Sequence, residues 1–157
     1  MEREEFKRIL GHWPTGIAIV ATRLADGKMC GLTANAVASV SLEPALVLAC
    51  VEHDADSHDC IRAAGVFSVN VLDSSQERMA RRFSTWEVDM KFDGLAFRTE
   101  VTGAPILTDA LAWVDCRVWA SYPGGDHTIF VGEVVAGDAR EGIPIIYYRG
   151  GYGRFSP

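Results

Sequence analysis

Apolar positions recur at two different periods along this chain, and the switches between them mark its elements. Phe6, Ile9, Leu10 and Trp13 fall at helical spacing, so the pattern predicts an amphipathic helix over Glu2 to His12. Its acidic residues crowd the first turn, where the helix dipole favours them. Pro14-Thr15-Gly16 ends it. Ile17 to Thr22 is a short β-branched run, and Ala25-Asp26-Gly27-Lys28 separates it from a return strand, Met29 to Ala36. Asp-Gly between two apolar segments is a strong hairpin signal. Pro44 opens Ala45 to Glu52, which is apolar at nearly every position and so is expected to be covered on both faces.

The polar stretch His53-Asp54-Ala55-Asp56-Ser57-His58-Asp59 leads into Cys60 to Gly65, read as a short helix that Asp56 or Ser57 caps and Gly65 ends. Val66 to Leu72 is another strand. Ser74-Ser75-Gln76-Glu77 has the form of a capping box before a helix over Glu77 to Phe83. Ser84 to Gly94 shows no period and reads as a loop. Leu95 to Glu100 is a strand that Val101 to Pro105 turns away from. Ala112 to Ser121 and Thr128 to Gly137 form a hairpin with the glycine-rich tip Tyr122 to Asp126. Ile143 to Tyr148 is the final strand, and Arg149 to Gly153 a flexible end. Seven or eight strands with three helices and no sustained βαβ alternation predict a mainly β fold with flanking helices, a closed or split β-barrel.

Length and composition narrow this further. A chain of 157 residues suits one domain, 1–157, with a core large enough to need no staple. Its net charge of −6 offers no electrostatic footprint for nucleic acid or an anionic membrane. Runs such as Ala45 to Val51 fall far short of a membrane span, and Met1 to Glu5 precede no signal-peptide apolar region, so the expected location is cytoplasmic. Cys30, Cys50, Cys60 and Cys116 form no C-x-x-C pair and are expected to be buried, reduced thiols.

Candidate chemistry gathers in a few places. Gly31-Leu32-Thr33-Ala34-Asn35-Ala36 puts small residues and an amide where a strand would carry bulky ones. A flat ligand can approach such a backbone, with the Thr33 hydroxyl and Asn35 amide as donors; a plain β-bulge explains the same composition. Ser39, Ser41 and Ser57, the last at a helix start, suit a phosphate, while an ordinary N-cap accounts equally for Ser57. The His, Asp and Cys residues of 53–60 do not converge at helical spacing, so no metal site is expected. His127 opens a strand at a barrel mouth. Tyr147, Tyr148, Arg149 and Tyr152 form an aromatic and basic cluster. With no G-x-G-x-x-G and no P-loop, any nucleotide binds in another mode.

In their order along the chain, Pro14-Thr15-Gly16, Gly31-Leu32-Thr33-Ala34-Asn35, Ser39-Val40-Ser41-Leu42-Glu43-Pro44, Phe67-Ser68-Val69-Asn70-Val71-Leu72, Phe83-Ser84, Gly103-Ala104-Pro105-Ile106-Leu107, Asp126-His127-Thr128-Ile129-Phe130-Val131-Gly132-Glu133-Val134 and Pro144 to Tyr152 resemble the flavin reductase-like family, the reductase components of two-component flavin monooxygenases. The resemblance implies an FMN-binding split β-barrel that works as a homodimer and uses NADH or NADPH to reduce FMN or FAD for a monooxygenase partner. It further implies that Leu32, Thr33, Ala34 and Asn35 lie along the isoalloxazine. Cys50, Val51, Glu52 and Ser57 then run past the ribityl chain and phosphate, near Ser39 and Ser41, and Phe83 and Ser84 lie near the flavin tail. His127 comes near the nicotinamide as the catalytic residue, and Tyr148, Arg149 and Tyr152 close over the ring. One departure stands out: His53-Asp54-Ala55-Asp56-Ser57 is acidic where similar proteins carry Lys or Arg. Either the phosphate sits nearer Ser39, Ser41 and the helix start, or flavin binding is weak. The alternative function is a non-enzymatic flavin- or haem-binding carrier or sensor.

Overall fold

The computed structural model describes residues 1–85 and 90–156. Three helices, α1 (Arg3–Leu10), α2 (Asp56–Ala64) and α3 (Glu77–Phe83), punctuate twelve strands among these residues. The strands are β1 (Thr15–Gly16), β2 (Ala18–Arg23), β3 (Met29–Ala34), β4 (Val37–Leu42), β5 (Ala45–Glu52), β6 (Val66–Val71), β7 (Phe97–Thr99), β8 (Pro105–Leu107), β9 (Ala112–Gly124), β10 (His127–Ala139), β11 (Ile145–Tyr148) and β12 (Gly151–Arg154).

Seven strands form one antiparallel sheet in the order β3-β2-β6-β9-β10-β5-β4. Its two edges, β3 and β4, are consecutive in the chain and separated only by Asn35 and Ala36. Laid flat, seven strands would hold those edges about 29 Å apart, while the link spans at most about 11 Å. The sheet must therefore curl until its edges nearly meet. No β3–β4 ladder closes it. The fold is mainly β with flanking helices, as the residue pattern predicts.

The curl divides the apolar residues into two clusters. Ala18 and Val20 of β2 face inward with Ala49, Val51, Phe67, Val69, Cys116 and Phe130. Ile19 and Ala21, on the opposite face of the same strand, meet Ala80 and Phe83 of α3, Phe92, Leu107 and Ile145. The fully buried Asn70 joins the layers: its amide donates to the Ile19 carbonyl at 3.1 Å and its oxygen accepts from the Leu107 N–H at 2.8 Å. The Phe67-to-Leu72 motif is thus structural at its polar positions.

Several expectations need correction. Met29 to Ala36 is not one strand, since the chain leaves the β3 ladder at Asn35 and starts β4 at Val37. Of β5 only Ala49 and Val51 are fully buried, so one face is covered instead of two. The helix ending at Gly65, which takes φ 68°, begins at Asp56, with no side chain capping it. The anticipated capping box does not form, since no side chain caps α3 at Gln76; the hydrogen bonds lie in the turn before it. Asp73 accepts from the Ser75 N–H at 3.0 Å while Gln76 Oε1 accepts from the Asp73 N–H at 2.8 Å. Tyr122-Pro123-Gly124 continues β9, leaving Gly125-Asp126 as the turn. Pro123 is tolerated because β6 pairs with β9 only from Ala112 to Arg117, so its missing N–H removes no ladder bond on that side. The C-terminal end is ordered: Arg149 and Gly150, with φ 49° and 82°, turn β11 into β12. Residues 86–89 of the loop expected over Ser84 to Gly94 lie outside the described residues.

The cysteine expectation fails for two of the four. Cys30 on β3 and Cys60 on α2 form a disulfide. Helix α2 packs across β2 and β3, which brings together two thiols 30 residues apart that no local spacing links. Cysteine usage therefore gives no support to a reducing compartment. Cys50 and Cys116 remain thiols, and burial pushes Cys116 up to about 12, with Asp115 adding to the effect.

Candidate active site

Strand β3 is an edge strand, and its open side carries the site. The Gly31 carbonyl turns outward and accepts from Lys91 Nζ at 3.1 Å. In an antiparallel strand the N–H and C=O of one residue share a side and alternate residues repeat it, so Thr33 offers its backbone groups to the same open edge. The Thr33 hydroxyl itself is engaged, donating to the Ala80 carbonyl at 2.5 Å, which removes it from the expected set of free donors. Gly31 is small for a packing reason: a Cβ there would stand 2.7 Å from Phe83 Cε1 and 3.0 Å from Phe92 Cζ.

Along this edge lies a cleft of about 180 Å³. Leu32 and Thr33 form one wall, Phe83, Ser84, Thr85 and Lys91 another, and Glu52, Asp54, Asp56 and Ser57 the third. Lys91 is 6% exposed. Burial lowers the pKa of its ammonium, while Asp56 opposes that shift. Beyond Thr33 the same segment reaches two further cavities. Ala34 and Asn35 line one of about 260 Å³ together with Trp13 and Thr15, and Asn35 also lines one of about 610 Å³ with Lys7, Arg8, Tyr147 and Arg149. The Thr15 hydroxyl is buried without a hydrogen-bond partner among the described residues.

The sequence-based candidates divide accordingly. Leu32, Thr33, Glu52, Ser57, Phe83 and Ser84 meet at the first cleft, and Ala34, Asn35 and Arg149 at the neighbouring cavities. Cys50 and Val51 do not line these cavities; the Val51 side chain is fully buried in the inner core. Ser39 and Ser41 sit on β4, at the other edge, where Ser41 Oγ accepts from the Glu43 N–H at 3.2 Å. Neither lines one of these three cavities. Tyr148 reaches His12 Nδ1 at 3.4 Å, and Tyr152 packs against Tyr147 beneath Arg81. His127 lines none of these three cavities; it stands opposite Glu52, which lines the first, in the β5–β10 ladder, with Nδ1 2.6 Å from Asp126 Oδ1. Among the described residues no three His, Cys, Asp or Glu side chains gather as a metal site. His58, in the predicted acidic loop, is buried and bonded through Nε2 to Thr128 Oγ1 at 2.8 Å.

Lys91, Thr85 and Thr15 escaped the residue-level reading. Thr15 lies inside the Pro-Thr-Gly motif, which was a usable signal. Lys91 is 60 residues from Gly31, and only the fold joins them.

Comparison with known proteins shows the family of the chain. Residues 10–156 match the model of the flavin reductase like domain. The chain belongs to the flavin reductase-like family. It is 38% identical over 152 residues to a flavin reductase of Pseudomonas putida, covering 96% of this chain and 89% of that one. It is 40% identical to the reductase component of a 4-nitrophenol 4-monooxygenase/4-nitrocatechol 2-monooxygenase from Rhodococcus opacus, over 100% of this chain and 83% of the relative. Among solved structures, the NADH:FAD oxidoreductase SgcE6 of Streptomyces globisporus C-1027, in complex with NAD and FAD fragments, superposes with a TM-score of 0.93 at 38% identity. That match covers 99% of this chain and 94% of the other. In this flavin reductase-like chain the three cavities along Leu32 to Asn35 are the candidate sites.

Proposed function

We propose that the chain is an NAD(P)H:flavin oxidoreductase that reduces FMN or FAD and hands the reduced flavin to a partner monooxygenase. The observation that carries this is the continuity of the β3 edge. Leu32 to Asn35 runs from a cleft with a buried ammonium and several hydroxyls into cavities flanked by Trp13, Tyr147 and Arg149. A flavin has the same polarity, anionic at its tail and flat with a hydrogen-bonding edge at its ring.

The donor set fits that group. Thr33 backbone groups, the Asn35 amide and the orphaned Thr15 hydroxyl suit the ring, while Ser57, Thr85 and Lys91 suit the tail. Bound flavin supplies the hydride-accepting chemistry, and the protein contributes binding, orientation and exclusion of water. Donors on the β3 edge stabilise negative charge developing on the ring. His127 orients the nicotinamide from its place beside Glu52, and Arg149 holds the nucleotide on the far side of Asn35.

The architecture in this reading is a split β-barrel of FMN-binding type, with the whole chain 1–157 as one domain. The working form is a homodimer. Helix α1 buries none of its residues, and Phe6, Ile9 and Leu10 stay exposed beside Trp13, as do Val40 and Leu42 on β4. A second copy covering them removes apolar surface from water and completes the half-open cavities. Among the described residues no helix is long and apolar enough to cross a membrane. Dependence on a pyridine nucleotide supports the cytoplasm as its location.

The test is NADH and NADPH oxidation with FMN, FAD and riboflavin supplied in turn. Flavin-dependent turnover is the expected result. Nucleotide oxidation that is the same with and without each flavin overturns the reading.

A further inference from the structure

The smaller cleft carries an unusual charge arrangement. Its basic residue is Lys91, buried and tied to the Gly31 carbonyl through one of its three N–H donors. Three carboxylates, Glu52, Asp54 and Asp56, line the same cleft and are exposed at its mouth. Among the described residues the lining is therefore net acidic around one fixed cation. At about 180 Å³ it has room for a phosphate group and not for a whole dinucleotide.

From this we infer that the cleft selects a singly charged phosphodiester, as in FAD, over the doubly charged terminal phosphate of FMN, with Lys91 as its cation and Asp54 and Asp56 as the discriminating charges. This deepens the flavin reductase reading and rests on it. A phosphate monoester near neutral pH carries close to two negative charges on one phosphorus, whereas each phosphate of a diester bridge carries one. One ammonium balances a diester phosphate. The second charge of a monoester is left facing Asp54 and Asp56. In FAD the other phosphate and the adenosine extend past the mouth, where solvent and salt screen them. The carboxylates are exposed, so the discrimination is modest, on the order of 3- to 10-fold in dissociation constant.

Titration of the parent protein with FAD, FMN and riboflavin, followed by flavin fluorescence, tests this at about 10 mM and about 1 M ionic strength, where the Debye lengths are about 30 and 3 Å. FAD is expected to bind more tightly than FMN at low salt by that factor, with the gap narrowing at high salt. Asp54→Asn with Asp56→Asn should close most of the gap at low salt by tightening FMN, with riboflavin unchanged. Salt and charge dependence separate this effect from any affinity the adenine adds. Lys91→Gln should weaken FAD and FMN and spare riboflavin, which also reports that the fold is intact. FMN binding as tightly as FAD at low salt overturns the inference, as does a double variant that shifts all three flavins alike. Equal loss of riboflavin in Lys91→Gln makes Lys91 a structural residue and overturns its role. Binding of none of the three by the parent overturns the flavin reductase reading as well.

Discussion

His127 stands directly opposite Glu52 across the β5–β10 ladder, at the first position after the turn that joins β9 to β10. Glu52 lines the Lys91 cleft, so this register sets a half-buried imidazole beside a lining residue, although His127 is not itself part of the lining. Asp126 fixes the ring through Nδ1 at 2.6 Å, and that same hydrogen bond holds the Asp126 carboxyl below its usual pKa. His127→Ala should therefore slow hydride transfer and leave flavin affinity nearly unchanged. One oriented polar contact in a transition state is worth about 1–3 kcal/mol, or roughly 5- to 150-fold in rate. Stopped-flow reduction at saturating flavin measures it, and a rate within about twofold of the parent assigns His127 to structure alone.

Asn35 stands in the two-residue link between β3 and β4 and lines two cavities, so its side chain is free for a ligand. Asn35→Leu should weaken flavin binding by about 1 kcal/mol or more, roughly fivefold, because it removes an amide donor and adds a branched carbon chain. Thermal stability should stay close to that of the parent, since Asn35 is exposed. An unchanged flavin dissociation constant would make the link a structural break only.

The contrast between Asn35 and Lys91 shows what kind of information a linear pattern holds. The periods of β2, β6 and α3 were readable because each element buries apolar residues whose spacing records that burial, whereas α1 keeps a helical apolar spacing although its apolar residues stay exposed. The ligand segment Leu32 to Asn35 was readable because small residues and an amide are out of character for a strand. The split between β3 and β4 was not, because nothing in Asn35-Ala36 marks a stop; the curl of the sheet imposes it. Gly31 misleads in the other direction, since its missing side chain makes room for Phe83 and Phe92 and not for a ligand. Lys91 and the Cys30–Cys60 bridge join elements distant in the chain, so no local spacing could announce them.

That bridge makes a direct prediction. Denatured protein kept oxidised should react with a thiol reagent at two cysteines, Cys50 and Cys116, and at all four after reduction. Closing a 30-residue loop restricts the unfolded chain by about 3.5 kcal/mol in the loop-entropy model. Cys30→Ala with Cys60→Ala should lower stability toward urea by up to about that amount. Four reactive thiols without any reductant would show the pair to be reduced in solution.

The turn before α3 makes a prediction in pH. Asp73 accepts from both the N–H and the hydroxyl of Ser75, at 3.0 Å each. These bonds, the backbone one foremost, favour the carboxylate and hold its pKa below the ordinary 3.8. Arg140, 3.4 Å away and half exposed, adds less. A carboxyl depressed in the folded state stabilises the fold fully above its unfolded pKa and loses that contribution as pH falls through the folded value. Asp73→Ala should therefore cost about 1 kcal/mol at neutral pH, the usual worth of such a hydrogen bond. In urea melts the parent and the variant should converge as pH drops below about 3.8, because the protonated parent has lost what the variant never had. Arg140→Ala should have a smaller effect, in keeping with an exposed ion pair. A gap between parent and Asp73→Ala that persists unchanged into acid would place the residue's contribution in packing instead of in its charge.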